Sequence, residues 1–311
     1  MENDLEKNVM QNVLMAAIKE QRSSRRWKIF FRFVWIIIIG TLLYIFTSEK
    51  DEFHSNKPIV GVVNLNGVIN KDNETYETVA EGLRYALEDK NTVAVIIKAN
   101  SPGGSPVYSD MLYNEILRLR KIYPKKPINV VVEEVCASGC YYIASAADKI
   151  YSSPASIVGS IGVIYTGFGL TGLMQKIGVD SRLLISGKNK AMGYPFVEED
   201  KNQVAMQQEM LNEVHQQFIN AVKVGRGSKL NLSNPDIFSG RYWVGEQAIK
   251  LGLIDGYSTV DKLSRDIYKT DNIVDFTPEQ EPFYKIAKKF GVGLADSAKQ
   301  TISDGDFGSF K

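Results

Sequence analysis

The sequence predicts an α/β fold on a largely parallel sheet, preceded by one N-terminal helix that crosses a membrane. Three observations predict it. From residue 58 onward, short β-branched apolar runs alternate with segments of helical apolar spacing, the order that builds helix-covered parallel sheets. Before them, residues 29–46 read IFFRFVWIIIIGTLLYIF, apolar on every side, with Arg32 as the one charge near an end. The composition of the 311 residues, 44% hydrophobic and 23% charged, is ordinary for a globular chain and allows one large domain or two small ones.

In chain order, Ile59 to Leu65 reads as a strand ending at Asn66-Gly67, and residues 76–89 as a helix. Val93 to Lys98 is a second strand, followed by the loop Asn100-Ser101-Pro102-Gly103-Gly104. Residues 107–122 carry Met111, Leu112, Ile116 and Leu119 at helical spacing. Ile128 to Val132 is a third strand, and a helix begins near Ser138. Ile150 and Ile161 to Tyr165 are strand-like, residues 170–177 a short helix, and Arg182 to Ile185 a further strand. Residues 198–224 suit one long helix stopped by Gly225, and Val244 to Leu251 a short one closed by Gly252. Beyond residue 270 the pattern is weak, although Phe283 to Phe290 could form an amphipathic helix.

A membrane-spanning helix needs about 20 apolar residues and about 17 at the least, which residues 29–47 meet. Trp27, Trp35 and Tyr44 suit the interfaces, and Arg32 can reach one of them by extending its side chain. The run ends in Ile45-Phe46-Thr47-Ser48-Glu49-Lys50 without the small-residue pattern of a cleavage site, so it reads as a retained anchor. Arg22, Arg25, Arg26 and Lys28 lie before it, and Glu49, Asp51 and Glu52 after it. The positive-inside rule then keeps the N-terminus in the cytoplasm and puts the rest outside, which for a bacterial cytoplasmic membrane would mean the periplasm or cell exterior. The expected divisions are a tail over 1–28, the anchor over 29–47, a globular domain over 58–270 and a weakly structured tail over 271–311.

The net charge of +1 gives no reason to expect nucleic acid as a partner. Two cysteines, Cys136 and Cys140, and two histidines, His54 and His215, are too few for a disulfide framework or a four-ligand zinc site, and no metal or cofactor is expected. Three polar segments remain. The Pro102-Gly103-Gly104 loop follows a strand and enters a helix, where free N–H groups could face a developing anion; equally, it could be only a turn. Ser138, at a strand-to-helix junction, suits a nucleophile in the helix field or a plain N-cap, and Gly139 beside it leaves room for substrate. The loop Gly187-Lys188-Asn189-Lys190 is either a solvated basic turn or the source of an amine that enters a partly apolar cleft and takes a proton in its neutral form. Neither histidine has a motif around it; His215 falls within the long helix, where a surface or packed position is usual. If Ser138 is a nucleophile, a lysine is therefore the better candidate for its base.

These segments occur in a familiar order. Asn100 to Gly104, Glu134 to Ala144, Gly159-Ser160-Ile161-Gly162-Val163, Gly187 to Phe196, Phe238 to Arg241 and Leu251 to Gly256 resemble the signal peptide peptidase A family over roughly residues 58–265, in its short form with one catalytic unit. The resemblance implies stacked ββα units of the crotonase/ClpP-like kind. It implies a serine peptidase with Ser138 as nucleophile, Lys190 rather than Lys188 as general base, Ser160 orienting that amine, and an oxyanion hole from Gly103 or Gly104 with Gly139. It also implies homo-oligomers in which the lysine can come from a neighbouring subunit, and substrates that are signal-peptide remnants and other short or unfolded peptides. Rival readings are a SohB-like or stomatin-partner protease, a crotonase-type acyl-CoA enzyme and a catalytically inactive membrane scaffold. Cys136 and Cys140 bracket Ser138. With one ending a strand and the other in a first helical turn, their Cβ vectors should diverge, so both are expected to be free, small packing residues.

Overall fold

The computed structural model describes residues 25–41 and 57–278, in two compact units divided between Asn56 and Lys57. In the first unit, helix α1 covers 25–41 and exposes Trp27, Phe30, Phe33, Trp35, Ile36 and Ile37. Among the described residues no helix is long and apolar enough to cross a membrane. Residues 42–47 of the expected anchor lie outside the described residues, as does the helix expected at Phe283 to Phe290.

The second unit is a mixed α/β domain. Its central strands are β1 (Ile59–Asn66), β2 (Thr92–Ser101) and β3 (Ile128–Ala137), parallel in register and linked by α2 (Thr75–Glu88) and α3 (Pro106–Ile122). They are rich in β-branched residues because both faces of their central positions are covered. Val63, Leu65, Val95, Ile97, Val130 and Val132 are buried with α2 and α3, while Val60, Ile96 and Val131 are buried on the opposite face with Leu263. Helix α3 starts where Ser105 Oγ accepts from the Tyr108 N–H and Pro106 occupies the first turn, and it buries Leu112, Ile116 and Leu119 at helical spacing.

Strand β3 is long enough to hold two successive partners. Its first half pairs with β4 (Lys149–Ser152) and its end with β5 (Ile157–Gly159), both parallel. The short helix α4 (Gly139–Ala144) leads from the end of β3 to β4. The sheet is completed by the antiparallel β6 (Tyr242–Val244) on β5, by β7 (Gly256–Tyr257) on β4, and by β8 (Ile273–Asp275) on β1, so it extends past residue 270. Helices α5 (Thr171–Ile177), α6 (Lys201–Arg226), α7 (Gly245–Lys250) and α8 (Val260–Asp266) complete the unit.

Three expectations are corrected. The run Ile161 to Tyr165 is not a strand: the pairing segment is β5, and the chain then leaves the sheet, with Ile161 buried but Ile164 86% exposed. Arg182 to Ile185 has no ladder partner, and Leu184 is 98% exposed. Gly225 does not stop the long helix, which runs to Arg226 and ends at Gly227. Gly225 is required there for a different reason: a side chain would collide with the Ser145 carbonyl.

Candidate active site

Ser138 forms a sharp elbow between β3 and α4, with φ 52° and ψ −125°. A non-glycine residue in such a conformation costs about 1–3 kcal/mol and persists only where its surroundings fix it. Here they do. The Ser138 N–H donates to the Gly159 carbonyl at 2.8 Å, and the Ser138 carbonyl accepts from the Tyr142 N–H at 3.0 Å. Gly103 lies so close that a Cβ on it would sit 2.8 Å from Ser138 Cβ and 2.7 Å from the Gly139 nitrogen. The Ser138 side chain makes no capping hydrogen bond to α4, so the hydroxyl does not do an N-cap's work.

Two glycine N–H groups face this elbow. Gly139 is the first residue of α4, where the N–H has no partner within the helix. A Cβ on Gly139 would lie 3.3 Å from the Gly104 nitrogen, so the two backbone nitrogens lie close together beside Ser138. The loop is held for this by Ile69, whose N–H donates to Gly103 O at 2.9 Å and whose carbonyl accepts from Ser105 N–H at 2.8 Å. The Gly103 N–H is already committed to the buried Ser101 hydroxyl at 3.1 Å. Of the two glycines, Gly104 is therefore the free donor, and Gly103 serves by permitting close approach.

Ser138, Gly104, Gly139 and Ser160 line one cleft of about 650 Å3. The sheet register explains why two serines far apart in sequence meet: Ala137 pairs with Gly159, so Ser138 and Ser160 are the next residues of adjacent strands. Ser160 repeats the φ of 52° and donates its N–H to the Arg241 carbonyl at 2.9 Å. The wall also contains Asp110, Tyr142, Val214, His215 and Phe218, which the sequence reading did not assign to the site. Tyr142 packs edge-to-face against Tyr113 and tilted against Phe218, and its hydroxyl donates to Asp110 at 2.9 Å. Burial, then the Asp110 carboxylate, pushes the Tyr142 phenol upward, so it remains a donor. His215 Nε2 is 3.0 Å from the Ile161 carbonyl. The available signal was spacing: His215 and Phe218 are three apart on the helical stripe that continues to the buried Ala221 and Val222.

Lys190 is elsewhere. Residues 181–190 are exposed throughout, and no lysine or arginine of the described residues lines the Ser138 cleft. The Lys190 N–H closes a turn onto the Gly187 carbonyl at 3.0 Å, and the loop rests on the first turns of α6, where Gln203 Nε2 donates to the Lys188 carbonyl at 3.3 Å. That part of α6 buries no side chain; its buried residues begin at Phe218. Residues 163–212 thus form an arm rich in exposed apolar side chains, among them Ile164, Phe168, Leu173, Ile177 and Leu184.

The expectation of free cysteines is overturned. Cys136 and Cys140 form a disulfide with Cα atoms 5.1 Å apart. The diverging-vector argument assumed an ordinary strand-to-helix passage; the left-handed turn at Ser138 folds the first turn of α4 back onto the end of β3 and brings the two sulfurs together. Both residues are fully buried.

A larger cavity of about 830 Å3 lies beside α8, lined by Lys98, Glu133, Asp261 and Lys262 among others. Its central feature is the Lys98–Glu133 ion pair at 3.3 Å, and it contains no strained nucleophile, so the chemistry belongs to the smaller cleft. Among the described residues no group of three or more His, Cys, Asp or Glu could hold a metal ion.

Comparison with known proteins identifies the family. The profile of Peptidase family S49 matches residues 121–273, a span that contains Ser138, Ser160 and Lys190. Two proteins named Na(+)/H(+) antiporter NhaA, from Brucella abortus and Brucella melitensis, are 44% identical over 186 residues, which is 60% of this chain but 25% of theirs. The chain therefore spans a quarter of the length of those relatives. A protein of Enterococcus faecium bearing the name signal peptide peptidase SppA is 32% identical over 237 residues, covering 72% of this chain and 68% of that one. A solved structure of a membrane-bound stomatin-specific protease with a substrate peptide aligns at a TM-score of 0.43 and 20% identity, over 67% of this chain and 80% of that one; the fold assignment rests on the sheet itself. The profile match and the breadth of the Enterococcus alignment place this chain in peptidase family S49.

Proposed function

We propose that this chain is a membrane-anchored serine endopeptidase that works outside the cytoplasm with Ser138 as nucleophile and Lys190 as general base. The observation that carries the reading is the elbow: an uncapped serine hydroxyl in a cleft, on a strained turn, close to the backbone nitrogens of Gly104 and Gly139. In the proposed reaction a neutral Lys190 amine, oriented by Ser160, removes the Ser138 proton as the hydroxyl attacks a peptide carbonyl. The two N–H groups hold the resulting oxyanion, the amine passes its proton to the leaving nitrogen, and water hydrolyses the acyl-enzyme by the same route.

Because Lys190 sits on the exposed arm, the reading requires a second copy of the chain to supply it. A homo-oligomer would at once cover the apolar side chains of the arm and complete the cleft. The crotonase/ClpP-like arrangement of stacked ββα units belongs to the same proposal. So does the anchor: the apolar side chains exposed along α1 suit lipid, and a buried disulfide suits an oxidising compartment, which agrees with the charge asymmetry across residues 29–47. The apolar floor at Val214 and Phe218 suits signal-peptide remnants and other short or unfolded peptides.

A second reading makes His215 the base, since it lines the same cleft. Its Nε2 is already engaged by the Ile161 carbonyl, which favours a wall residue. One assay separates the two. On a fluorogenic peptide, Ser138→Ala and Lys190→Ala should each lose about 1000-fold or more in turnover while remaining folded. Lys188→Ala and His215→Gln should keep most of theirs. Full activity in Lys190→Ala, or its loss in His215→Gln alone, overturns the assignment of the base.

A further inference from the structure

The disulfide occupies a particular place in this site. Cys136 is fixed by the sheet on both sides, paired with Ser101 of β2 and with Val158 of β5. Cys140 lies in the first turn of α4, one residue past Gly139. The bond therefore ties the rigid end of β3 to the start of α4 across the one turn that carries Ser138, and the residues it encloses, Ala137, Ser138 and Gly139, include the nucleophile and an oxyanion donor. With a sequence separation of 4 it closes a very short loop, where the gain in global stability from restricting the unfolded chain is at its smallest. Its local effect is on a strained conformation. The left-handed turn at Ser138 is held by Gly103, by the Gly159 carbonyl and by the packing of the fully buried α4, whose Tyr141 hydroxyl donates to the Leu253 carbonyl at 2.8 Å, and the disulfide adds a covalent tie across the turn itself.

Resting on the peptidase reading above, we propose that the Cys136–Cys140 bond is a positioning device for Ser138, and that the chain becomes a competent peptidase only after these two thiols have been oxidised. Both cysteines are inaccessible to solvent, so the bond is made as the domain folds and is not opened by a reductant acting on the folded protein. The step balances as thiol–disulfide exchange. The two thiols lose two protons and two electrons and form one S–S bond, and a disulfide oxidant, either oxidised glutathione or the disulfide of a thiol oxidase, is cleaved to two thiols. The same polypeptide would be about 10- to 100-fold slower where thiols are kept reduced than where they are oxidised, which favours proteolysis on the far side of the membrane without a separate inhibitor.

The test uses the full chain in detergent micelles. Wild type is unfolded with a thiol reductant and refolded in two portions, one kept reduced and one given oxidised glutathione; each is assayed on a fluorogenic peptide, with the loss of two hydrogens by mass as the measure of oxidation. The oxidised portion should show a kcat about 10- to 100-fold above the reduced one, with KM nearly unchanged, because misplacing a reacting group by about an ångström acts on turnover and not on binding. The Cys136→Ala/Cys140→Ala variant should resemble the reduced portion in kcat at temperatures far below its unfolding. Equal kcat in the reduced and oxidised portions, or a folded double variant within two-fold of oxidised wild type, overturns the clamp while leaving the peptidase reading intact. Should the double variant fail to fold, the two wild-type portions decide. If oxidised wild type shows no turnover that Ser138→Ala removes, the peptidase reading falls and the clamp falls with it.

Discussion

The elbow at Ser138 and the arm that carries Lys190 are built on opposite principles. Around the elbow almost every degree of freedom is fixed inside one chain: β3 has partners on both edges, Gly103 leaves no slack against Ser138, and a disulfide spans the turn. The arm from 163 to 212 leaves Ile164, Phe168 and Leu184 in solvent and meets its own chain mainly along an α6 segment with no buried side chain. Half of the proposed site is thus pre-organised by folding, and on the proposed reading the other half would be placed by assembly.

The largest effect that would sharpen this contrast lies where the arm is rooted. The C-terminal end of α6 is held by Arg226, almost fully buried, which donates to Asp255 at 2.7 Å and to the Gly252 carbonyl at 3.0 Å. Asp255 also accepts from Lys229 and from the Ile150 N–H. Burial pushes the Asp255 carboxyl up, but the hydrogen bonds from Arg226, Lys229 and Ile150 outweigh it and hold the carboxyl below its usual range. Asp255→Asn strands the buried guanidinium and should destabilise the domain by about 3–5 kcal/mol, read by denaturant unfolding. The sign of the pH dependence follows from the lowered value. Asp255 binds protons more readily unfolded than folded, so its contribution is complete above the usual carboxylate range and is lost as pH falls through the lower folded value. Acid unfolding of the variant should lack that component.

A smaller effect breaks the fixed half alone. Gly104→Ala places a methyl group against the Ile69 backbone and displaces the Gly104 N–H. Turnover should fall about 100- to 1000-fold, the loss expected for one oxyanion donor, with little change in oligomer size. If activity persists, Gly104 is not a donor. The smallest effect on stability belongs to the arm. Leu184→Asp alters a side chain that touches almost nothing in its own chain, so the unfolding free energy should move by less than about 0.5 kcal/mol. Peptidase activity and sedimentation should nevertheless both fall, because the residue is read as part of an interface; unchanged activity would return the arm to a solvated surface.

The same contrast decides what was legible in the sequence. The strands β1, β2 and β3 could be read because a β-branched run buried on both faces leaves little alternative. The order of Pro102-Gly103-Gly104, Ser138-Gly139 and Ser160 carried the fixed half of the site. The failures at Ile161 to Tyr165 and Arg182 to Ile185 share one cause. An apolar pattern does not say whether a segment joins the sheet, and here Ile164, Tyr165, Leu183, Leu184 and Ile185 all leave it exposed. The disulfide was missed because its geometry depends on a left-handed serine, which no local propensity signals. Gly225 was misread as a stop because the need to approach the Ser145 carbonyl comes from tertiary packing. His215 had no motif around it and entered the cleft only because α6 turns its buried stripe toward Ser160.

The most direct test of a site shared between subunits is complementation. Ser138→Ala and Lys190→Ala chains, each inactive alone, are unfolded, mixed in equal amounts and refolded together. A junction that joins an intact Ser138 from one variant with an intact Lys190 from the other should restore roughly a quarter of wild-type turnover under random assembly. A co-assembled mixture as silent as its two components would contradict the account.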